Sequence, residues 1–358
     1  MLSVRPLGRA LLIGLAAAVV AAACGSSGTT GSTVGSGALT GAGATFPAPF
    51  YTKAFYTYTQ QYPAVTVNYQ SVGSGAGIQQ FIKGTVDFGA SDVPMGSADI
   101  TSAGGPDTLT QIPTTLGVIA VAYNLSGVTK LQLDGPTLAN IFLGHIKKWN
   151  DPAIVALNAG VSLPSTDIQV VHRSDSSGTS YHFTDYLGKV SDEWKTKIGV
   201  GKAVSWPAGI GGSGNQGVAQ AVTSTAGAIG YVELAYVVQT NMTQAYIKNK
   251  DGNFVQASVA GATAAAAQNT SVSPTNFSIT NEPGADTYPI AAFSWLIVKT
   301  SYSDANKGKA IVYMLKWLVT DGQSIGTPLQ YAPLPTGVQA LAESNLKLIK
   351  AGGAAVLS

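Results

Sequence analysis

The 358-residue sequence is poor in charged residues and has a single cysteine. Charged side chains make up only 11% of the chain, whereas 45% of its residues are hydrophobic. This balance excludes a disordered chain, because disorder needs low hydrophobicity together with a high density of charge. No repeat with a period of about 20 to 50 residues is present, which disfavours a solenoid or a propeller. The length is sufficient for two packed domains.

A strong excess of charge of either sign is also missing. The formal net charge of +2 comes from Arg5 and Arg9, which lie in a segment that we predict to be removed. Without these two, 18 of the 20 basic residues remain and equal the 18 acidic ones. Proteins that bind nucleic acids present a basic face to the phosphate backbone. A nucleic-acid partner is therefore not expected.

The single cysteine, Cys24, excludes an intrachain disulfide and a zinc site built on several thiolates. It follows two arginines and an apolar run over residues 10–20 that is too short to span a bilayer, an order typical of a secretion signal. Residues 21–23 are alanines, and together with Cys24 they resemble the lipobox of bacterial lipoproteins, although the first alanine stands where leucine or valine is usual. We predict a signal peptide over residues 1–23, acylation of Cys24 with palmitate, and a flexible Gly/Ser/Thr tether over residues 24–38. A plainly secreted protein is the alternative.

From about Leu39 onward the sequence alternates between strand and helix patterns. Strands are expected over residues 65–69, 86–90, 116–122, 168–171 and 291–298. Helices are expected over residues 78–82, 135–143, 178–187 and 311–318, the second of them capped by Asp134 and ended by Gly144. This alternation favours an α/β architecture with mainly parallel sheets, in which ligands bind at the carboxyl ends of the strands.

Three loops rich in glycine and hydroxyl groups stand where a strand pattern gives way to a helix pattern. They cover residues 40–49, 73–75 and 170–180. Glycine frees the backbone, and the unpaired N–H groups at a helix N-terminus suit an oxyanion. A loop of this kind often only caps its helix, but three of them in one weakly charged protein favour an anion site.

Charged residues stand in the third of these loops and at the end of another predicted strand. Arg173 supplies the one strong positive charge of its loop, and Asp175 is placed to fix the guanidinium by a bidentate contact; an ordinary surface ion pair is the alternative. Asp92 follows the strand predicted over residues 86–90. A carboxylate repels an oxyanion unless the anion donates a proton to it, an arrangement that accepts partly protonated phosphate and rejects sulfate. The alternative is that Asp92 only caps a turn.

Five segments closely resemble the phosphate-binding proteins that feed bacterial high-affinity phosphate ABC importers. They read LTGAGATFPAP over residues 39–49, VDFGASD over 86–92, IKKW over 146–149, SGTS over 177–180 and GAIGYVE over 227–233. The resemblance runs in order from about residue 39 to about residue 340. It implies a type II two-lobed periplasmic binding protein, with a mainly parallel sheet flanked by helices in each lobe and the ligand in the cleft between them. The implied lobe I covers residues 39–115 and 287–358, and lobe II covers residues 116–286.

The resemblance also implies which groups hold the phosphate. They are Thr45, the backbone amide of Phe46, Ser74, Asp92, Arg173, Ser177, Gly178 and Thr179, with Asp175 as the partner of Arg173. The sequence departs from the best-known members at Ser71, Ala76, His172 and Ser176. Of these, Ser176 is the one that we expect to alter the geometry of its loop.

These expectations describe a substrate-binding subunit, not an enzyme. It is expected to lie on the extracytoplasmic face of the cell membrane, in the periplasm where an outer membrane is present, and to be held there by its lipid. It would capture inorganic phosphate and deliver it to a membrane permease with a cytoplasmic ATPase. No metal and no cofactor are implied. Residues 147–149 are expected to form a solvated helix end, with permease contact as the alternative.

Two other classes of function stay open at this point. A secreted phosphate-ester hydrolase would use Ser177 as nucleophile, His172 or His182 as base and Asp175 as the orienting residue. No G-x-S-x-G motif surrounds Ser177, however. The other alternative is a protein that binds a different oxyanion, or a surface adhesin.

Overall fold

The computed structural model of the protein describes residues 34–358. The predicted signal peptide, the predicted lipidation site Cys24 and most of the predicted tether lie outside the described residues. The first strand begins at Gly37, so the last two residues assigned to the tether belong to a sheet. In the described part of the chain, no helix combines the length and the hydropathy that crossing a bilayer requires.

Strands and helices alternate along the described residues. The strands are β1 Gly37–Gly43, β2 Val65–Ser71, β3 Phe88–Ser91, β4 Leu109–Tyr123, β5 Gln132–Leu133, β6 Gln169–Arg173, β7 Ile210–Gly212, β8 Ala228–Glu233, β9 Thr243–Gln244, β10 Tyr246–Lys248, β11 Phe254–Val255, β12 Ala291–Lys299, β13 Ser301–Tyr302, β14 Lys350–Ala351 and β15 Ala354–Ala355. The α-helices are α1 Ala48–Gln61, α2 Ser74–Ile82, α3 Ser97–Ser102, α4 Gly135–Phe142, α5 Pro152–Leu157, α6 Gly178–Val190, α7 Asp192–Lys197, α8 Gly214–Ser224, α9 Leu234–Gln239, α10 Val259–Gln268, α11 Ala305–Val319 and α12 Thr336–Leu346. Short 3-10 helices cover Pro106–Thr108, Asp321–Ile325 and Thr327–Leu329. The α/β class is therefore confirmed.

The main sheet is mixed. Its strands follow the order β2-β1-β3-β12-β4-β8-β6-β7, and β9 also pairs with β4. Strand β1 runs parallel to β2 and β3, and β6 runs parallel to β7 and β8. The two long central strands, β4 and β12, are antiparallel to each of their neighbours in this sheet. The parallel pairing expected from the sequence thus describes the outer strands, whereas the centre of the sheet is antiparallel.

Strand β4 joins the two halves of this sheet. Its first part, from Leu109 to Val118, pairs with β12, and its last part, from Ile119 to Tyr123, pairs with β8. We call the half around β1, β2, β3 and β12 lobe I, and the half around β6, β7 and β8 lobe II. The change of partner lies three residues beyond the predicted boundary at 115/116, and the exact limits of the lobes stay a prediction.

The core follows the two central strands. All fifteen residues of β4 are buried, and so are the residues of β12 from Ala291 to Val298. Strands that are buried on both faces are expected where helices cover both sides of a sheet. Side chains on these strands continue into one hydrophobic cluster that extends through both lobes. The carboxyl ends of the outer parallel strands are therefore held on a rigid central support.

Local signals in the sequence locate the ends of helix α4 correctly. Asp134 is its N-cap, and its carboxylate accepts a hydrogen bond from the Thr137 N–H over 2.9 Å. Gly144 follows the helix with a φ of 76°, a conformation that favours glycine.

The prediction that residues 147–149 form a solvated helix end is wrong in part. These residues follow helix α4 and do not form its end. Trp149 is fully buried, and its Nε1 donates a hydrogen bond to the Gly227 carbonyl oxygen.

Glycine is required where helix α2 packs on the sheet. A Cβ atom on Gly77 would lie 2.6 Å from the Ala42 carbonyl oxygen and 2.9 Å from that of Ala90. Both of these oxygens belong to backbone that is fixed in β1 and β3, so the strands cannot move away cheaply. The missing side chain at Gly77 thus determines how closely the N-terminus of α2 approaches the ends of these strands.

We predict that Gly77→Ala destabilises the protein by about 1 to 3 kcal/mol, because the added methyl group overpacks the helix–sheet contact. The matched control is Gly337→Ala in helix α12, where an added Cβ meets nothing within 4 Å. We expect the control to leave the free energy of unfolding unchanged or to raise it by up to about 1 kcal/mol, because alanine favours a helix over glycine. Denaturant unfolding of both variants measures the difference, and equal effects would contradict the packing argument.

Candidate anion-binding site

The three glycine-rich loops meet between the lobes. Ser74 is the first residue of α2, and Ser177 is the N-cap of α6. The N–H of Gly178 donates to Ser74 Oγ over 3.1 Å, and the N–H of Gly75 donates to the Ser176 carbonyl oxygen over 2.9 Å. The N-termini of α2 and α6 therefore touch across the two lobes. Ser176 is the residue of this loop at which the sequence differs from the best-known family members. Its side chain fills the space that the missing Cβ of Gly75 leaves open.

Arg173 and Asp175 form the bidentate pair that the sequence predicts. Arg173 Nε donates to Asp175 Oδ1 over 2.7 Å, and Nη2 donates to Asp175 Oδ2. The Arg173 side chain is almost completely buried, and Asp175 is partly exposed. Burial raises the pKa of Asp175, but its hydrogen bonds with Arg173 and with the Gly214 N–H outweigh burial and lower that pKa below its ordinary value. The carboxylate therefore stays ionised and balances the guanidinium charge.

Asp92 lies at the end of β3 with its carboxyl group buried inside the same cluster. Ser294 Oγ donates to its Oδ1 over 2.8 Å, and Ser74 Oγ lies 3.5 Å from its Oδ2. Burial raises the pKa of Asp92 to about 7, although the hydrogen bond from Ser294 acts in the opposite direction. The alternative role as a turn cap is filled by another residue, since the Val93 N–H donates to Ser91 Oγ over 3.1 Å. A carboxyl group with this pKa can accept a proton from a bound anion at neutral pH.

Two tyrosine hydroxyls fix the backbone of the first loop. Tyr236 donates to the Thr45 carbonyl oxygen and Tyr331 donates to the Phe46 carbonyl oxygen, each over 2.6 Å. The Phe46 ring is fully buried and packs edge-on against the Tyr331 ring. The Thr45–Phe46 peptide group, which carries the implied Phe46 amide, is therefore held by Tyr236 of α9, and the next peptide group is held by Tyr331.

The glycine at the start of α6 is needed for a close approach. A Cβ atom on Gly178 would lie 2.6 Å from Asp92 Oδ2 and 2.7 Å from Ser74 Oγ. Thr179, the next residue, is buried and accepts a hydrogen bond from Arg173 Nη1 over 3.2 Å. Gly178 is thus hydrogen-bonded to Ser74 of the second loop, and Arg173 is hydrogen-bonded to Thr179 within the third loop. The Ser177 hydroxyl caps α6 by accepting a hydrogen bond from the Ser180 N–H.

Sequence reasoning missed two buried residues of this cluster. Asn215, at the start of α8, donates to the side chains of Thr45 and Thr179. The sequence feature that points to Asn215 is the segment over residues 210–217, which is a fourth glycine-rich junction between a strand and a helix. Ser294, the partner of Asp92, was visible as the one polar residue in the apolar run over residues 291–298.

The two histidines considered for catalysis are hydrogen-bonded to groups other than Ser177. His172 Nδ1 is 3.0 Å from the Arg173 carbonyl oxygen, and His182 Nε2 is 2.8 Å from the Asp92 carbonyl oxygen. Within residues 34–358, neither imidazole is hydrogen-bonded to the Ser177 hydroxyl. In the same part of the chain, no group of three His, Cys, Asp or Glu side chains is arranged to hold a metal ion. The arrangement is suited to holding an anion by hydrogen bonds.

Comparisons with known proteins place the chain in a family. Residues 28–321 match the family model described as a PBP superfamily domain. Among curated relatives, "Phosphate-binding protein PstS" of Xylella fastidiosa strain 9a5c is 45% identical over 305 residues, which cover 83% of this chain and 81% of the relative. The protein of the same name from Pasteurella multocida strain Pm70 is also 45% identical, over 84% of this chain and 87% of its own.

A solved structure supports the fold independently. It is a high-affinity periplasmic phosphate-binding protein with phosphate bound, and it superposes with a TM-score of 0.69 over 86% of this chain and 93% of its own at 22% identity. The sheet of mixed strands flanked by helices is therefore that of a two-lobed periplasmic binding protein. By the extent of these matches, the chain belongs to the PstS family of phosphate-binding proteins within the PBP superfamily.

Proposed function

We propose that the protein captures inorganic phosphate outside the cytoplasm and delivers it to an ABC importer. The observation that supports this most strongly is a buried cluster in which a charge-balanced arginine lies beside a carboxyl group whose pKa is about 7. The related proteins from Xylella fastidiosa and Pasteurella multocida are named as phosphate-binding proteins, which agrees with this proposal. The binding groups that we propose are Thr45, the Phe46 amide, Ser74, Asp92, Arg173, Ser177, Gly178 and Thr179.

Arg173 supplies the charge in this proposal. A guanidinium has five N–H donors. Two of them bind Asp175 and one binds Thr179, which leaves one N–H on each of Nη1 and Nη2 for phosphate oxygens. Asp175 fixes the plane of the guanidinium, so these free donors point in a defined direction.

Asp92 supplies the selectivity. Phosphate near neutral pH has a protonated oxygen, whereas all oxygens of sulfate are acceptors. An Asp92 carboxylate accepts the phosphate proton but repels the unprotonated oxygens of sulfate. Because the site is buried, an unmatched hydrogen-bonding group there costs about 1 to 3 kcal/mol, enough for strong rejection.

In this proposal, closure of the two lobes couples phosphate binding to transport. Contacts that cross between the lobes, such as that of Gly178 with Ser74, are made in the closed form. Phosphate binds groups from both lobes and stabilises this form, which a permease distinguishes from the open one by its shape. We propose lobe limits at residues 115/116 and 286/287, with β4 as one of the connections between the lobes.

The remaining parts of the proposal concern location and chemistry. We infer that residues 1–23 direct secretion, that a lipid on Cys24 anchors the protein to the outer face of the cell membrane, and that a permease with a cytoplasmic ATPase is the partner.

We propose no catalytic step. An assay for turnover of phosphate esters by the purified protein tests this directly, and hydrolysis that is lost in Ser177→Ala would support the enzyme alternative.

We predict that Arg173→Ala weakens phosphate binding by about 100-fold or more, because two charged hydrogen bonds are lost and Asp175 is left without its counter-ion. Isothermal titration measures the dissociation constant. The control is Lys189→Ala, which removes another lobe II cation, one that pairs with Asp185. We expect the control to bind phosphate as the wild type does. An unchanged dissociation constant in Arg173→Ala would remove Arg173 from the site.

We predict that Asp92→Asn weakens the discrimination against sulfate, because the new amide N–H can donate to an unprotonated oxygen. Competition titrations with phosphate and sulfate measure this selectivity. Asp87→Asn is the control, since Asp87 belongs to the same sequence segment but pairs with Lys307. If sulfate still fails to bind Asp92→Asn, Asp92 does not detect the proton.

The stability of Asp92→Asn without ligand is expected to depend on pH differently from that of the wild type. Since burial raises the pKa of Asp92 to about 7, the folded protein holds this proton more tightly than the unfolded chain does. The stability contributed by the protonated form is therefore lost as the pH rises toward and through 7. In thermal unfolding without phosphate, we expect Asp92→Asn to raise the melting temperature above that of the wild type by more at about pH 8 than at about pH 5. Equal gains at both pH values would show that Asp92 titrates normally.

A further inference from the structure

Asn215 connects two hydroxyl groups of the proposed site. It is fully buried at the start of α8. Its side-chain Nδ2 donates to Thr45 Oγ1 over 2.8 Å and to Thr179 Oγ1 over 3.2 Å, and its backbone N–H donates to Thr45 Oγ1 over 3.1 Å. Thr45 follows β1 in lobe I, and Thr179 lies in α6 of lobe II. One amide group therefore bonds to both sides of the cleft.

The orientation of this amide is fixed by the backbone. Asn215 Oδ1 accepts a hydrogen bond from the Glu233 N–H over 3.0 Å. A backbone N–H can only donate, so the atom that faces it must be the amide oxygen. The NH₂ group consequently faces the two threonines, and both of its hydrogens are used there.

Counting lone pairs defines what each threonine can still do. A hydroxyl has two acceptor positions and one hydrogen. Thr45 Oγ1 accepts from two N–H groups of Asn215, and Thr179 Oγ1 accepts from Asn215 Nδ2 and from Arg173 Nη1. Each of these four partners is an N–H group that cannot accept a hydrogen bond in return. Both hydroxyl hydrogens are therefore directed away from Asn215 and Arg173.

We propose that Asn215 is a positioning residue that acts through Thr45 and Thr179. By filling acceptor positions on both hydroxyls, it leaves each of them able only to donate to the bound anion. The two threonines then pair only with unprotonated oxygens, and the proton of the anion is left for Asp92. This inference rests on the proposed function, because it takes both threonines as phosphate-binding groups.

The experiment is isothermal titration of the full chain with inorganic phosphate. Asn215→Ala removes one N–H donor from each hydroxyl and so opens one acceptor position on both, whereas the backbone N–H of residue 215 and Arg173 Nη1 still donate to them. We expect this variant to weaken binding by about tenfold. The matched control is Asn158→Ala. Asn158 is also a buried asparagine, but its amide bonds to the backbone of Gln132 and Ile154 in lobe II. We expect the control to lower the melting temperature and to leave the phosphate dissociation constant within about twofold of wild type.

A double-mutant cycle separates this role from a structural one. If Asn215 acts through the hydroxyls, its substitution loses part of its effect once Thr45→Val has removed one of them. We expect the penalty of Asn215→Ala on phosphate binding to be smaller in the Thr45→Val background than in wild type by at least about threefold. Asn215→Leu, which fills the site without donating, should behave like Asn215→Ala in both backgrounds.

Three results would overturn the inference. They are unchanged phosphate affinity in Asn215→Ala, strictly additive effects with Thr45→Val, and an equal loss of affinity in Asn158→Ala. Each of them is interpretable only if the wild-type chain binds phosphate. A wild type that does not bind phosphate would instead overturn the proposed function itself, so the two failures are distinguishable.

Discussion

Desolvation is the constraint on which the proposed site depends, because a phosphate enclosed between two lobes loses its water and must find its hydrogen bonds inside the protein. A buried group that is left without its partner costs about 1 to 3 kcal/mol. Residues 24–358 have no formal charge excess with which to attract the anion. The charge of Arg173 is itself balanced by Asp175, so the site relies on the direction of donors more than on net charge. This is why the lone pairs of each hydroxyl matter.

The central strands provide the rigidity that such a site needs. Strands β4 and β12 are buried and pair antiparallel through much of their length, and the outer parallel strands end beside them. The register of β12 against β3 places Trp295 opposite Ser91, which brings the neighbouring Ser294 onto Asp92. A single serine in an apolar strand thus supports the group that is proposed to accept the proton of the anion. The fold and the selectivity are connected at this point of the sheet.

Much of this arrangement could be predicted from the sequence, and the failures have a common physical origin. Local signals were sufficient where the cause is local, as in the cap at Asp134 and the contact of Arg173 with Asp175 two residues away. The antiparallel centre of the sheet, the burial of Trp149 and the position of Asn215 depend on pairings between distant parts of the chain. Asn215 bonds to Thr45 across 170 positions of sequence, and no periodicity or capping rule reports such a contact. The resemblance to a family supplied the proposed binding residues but not Asn215, which we propose orients two of them.

The central claim is that this cluster binds phosphate and rejects sulfate. The most direct measurement is isothermal titration of the purified wild-type protein with phosphate at neutral pH, in the presence and in the absence of excess sulfate. We predict one phosphate bound per chain, with a dissociation constant that sulfate does not change. The absence of phosphate binding, or its displacement by sulfate, would contradict the account.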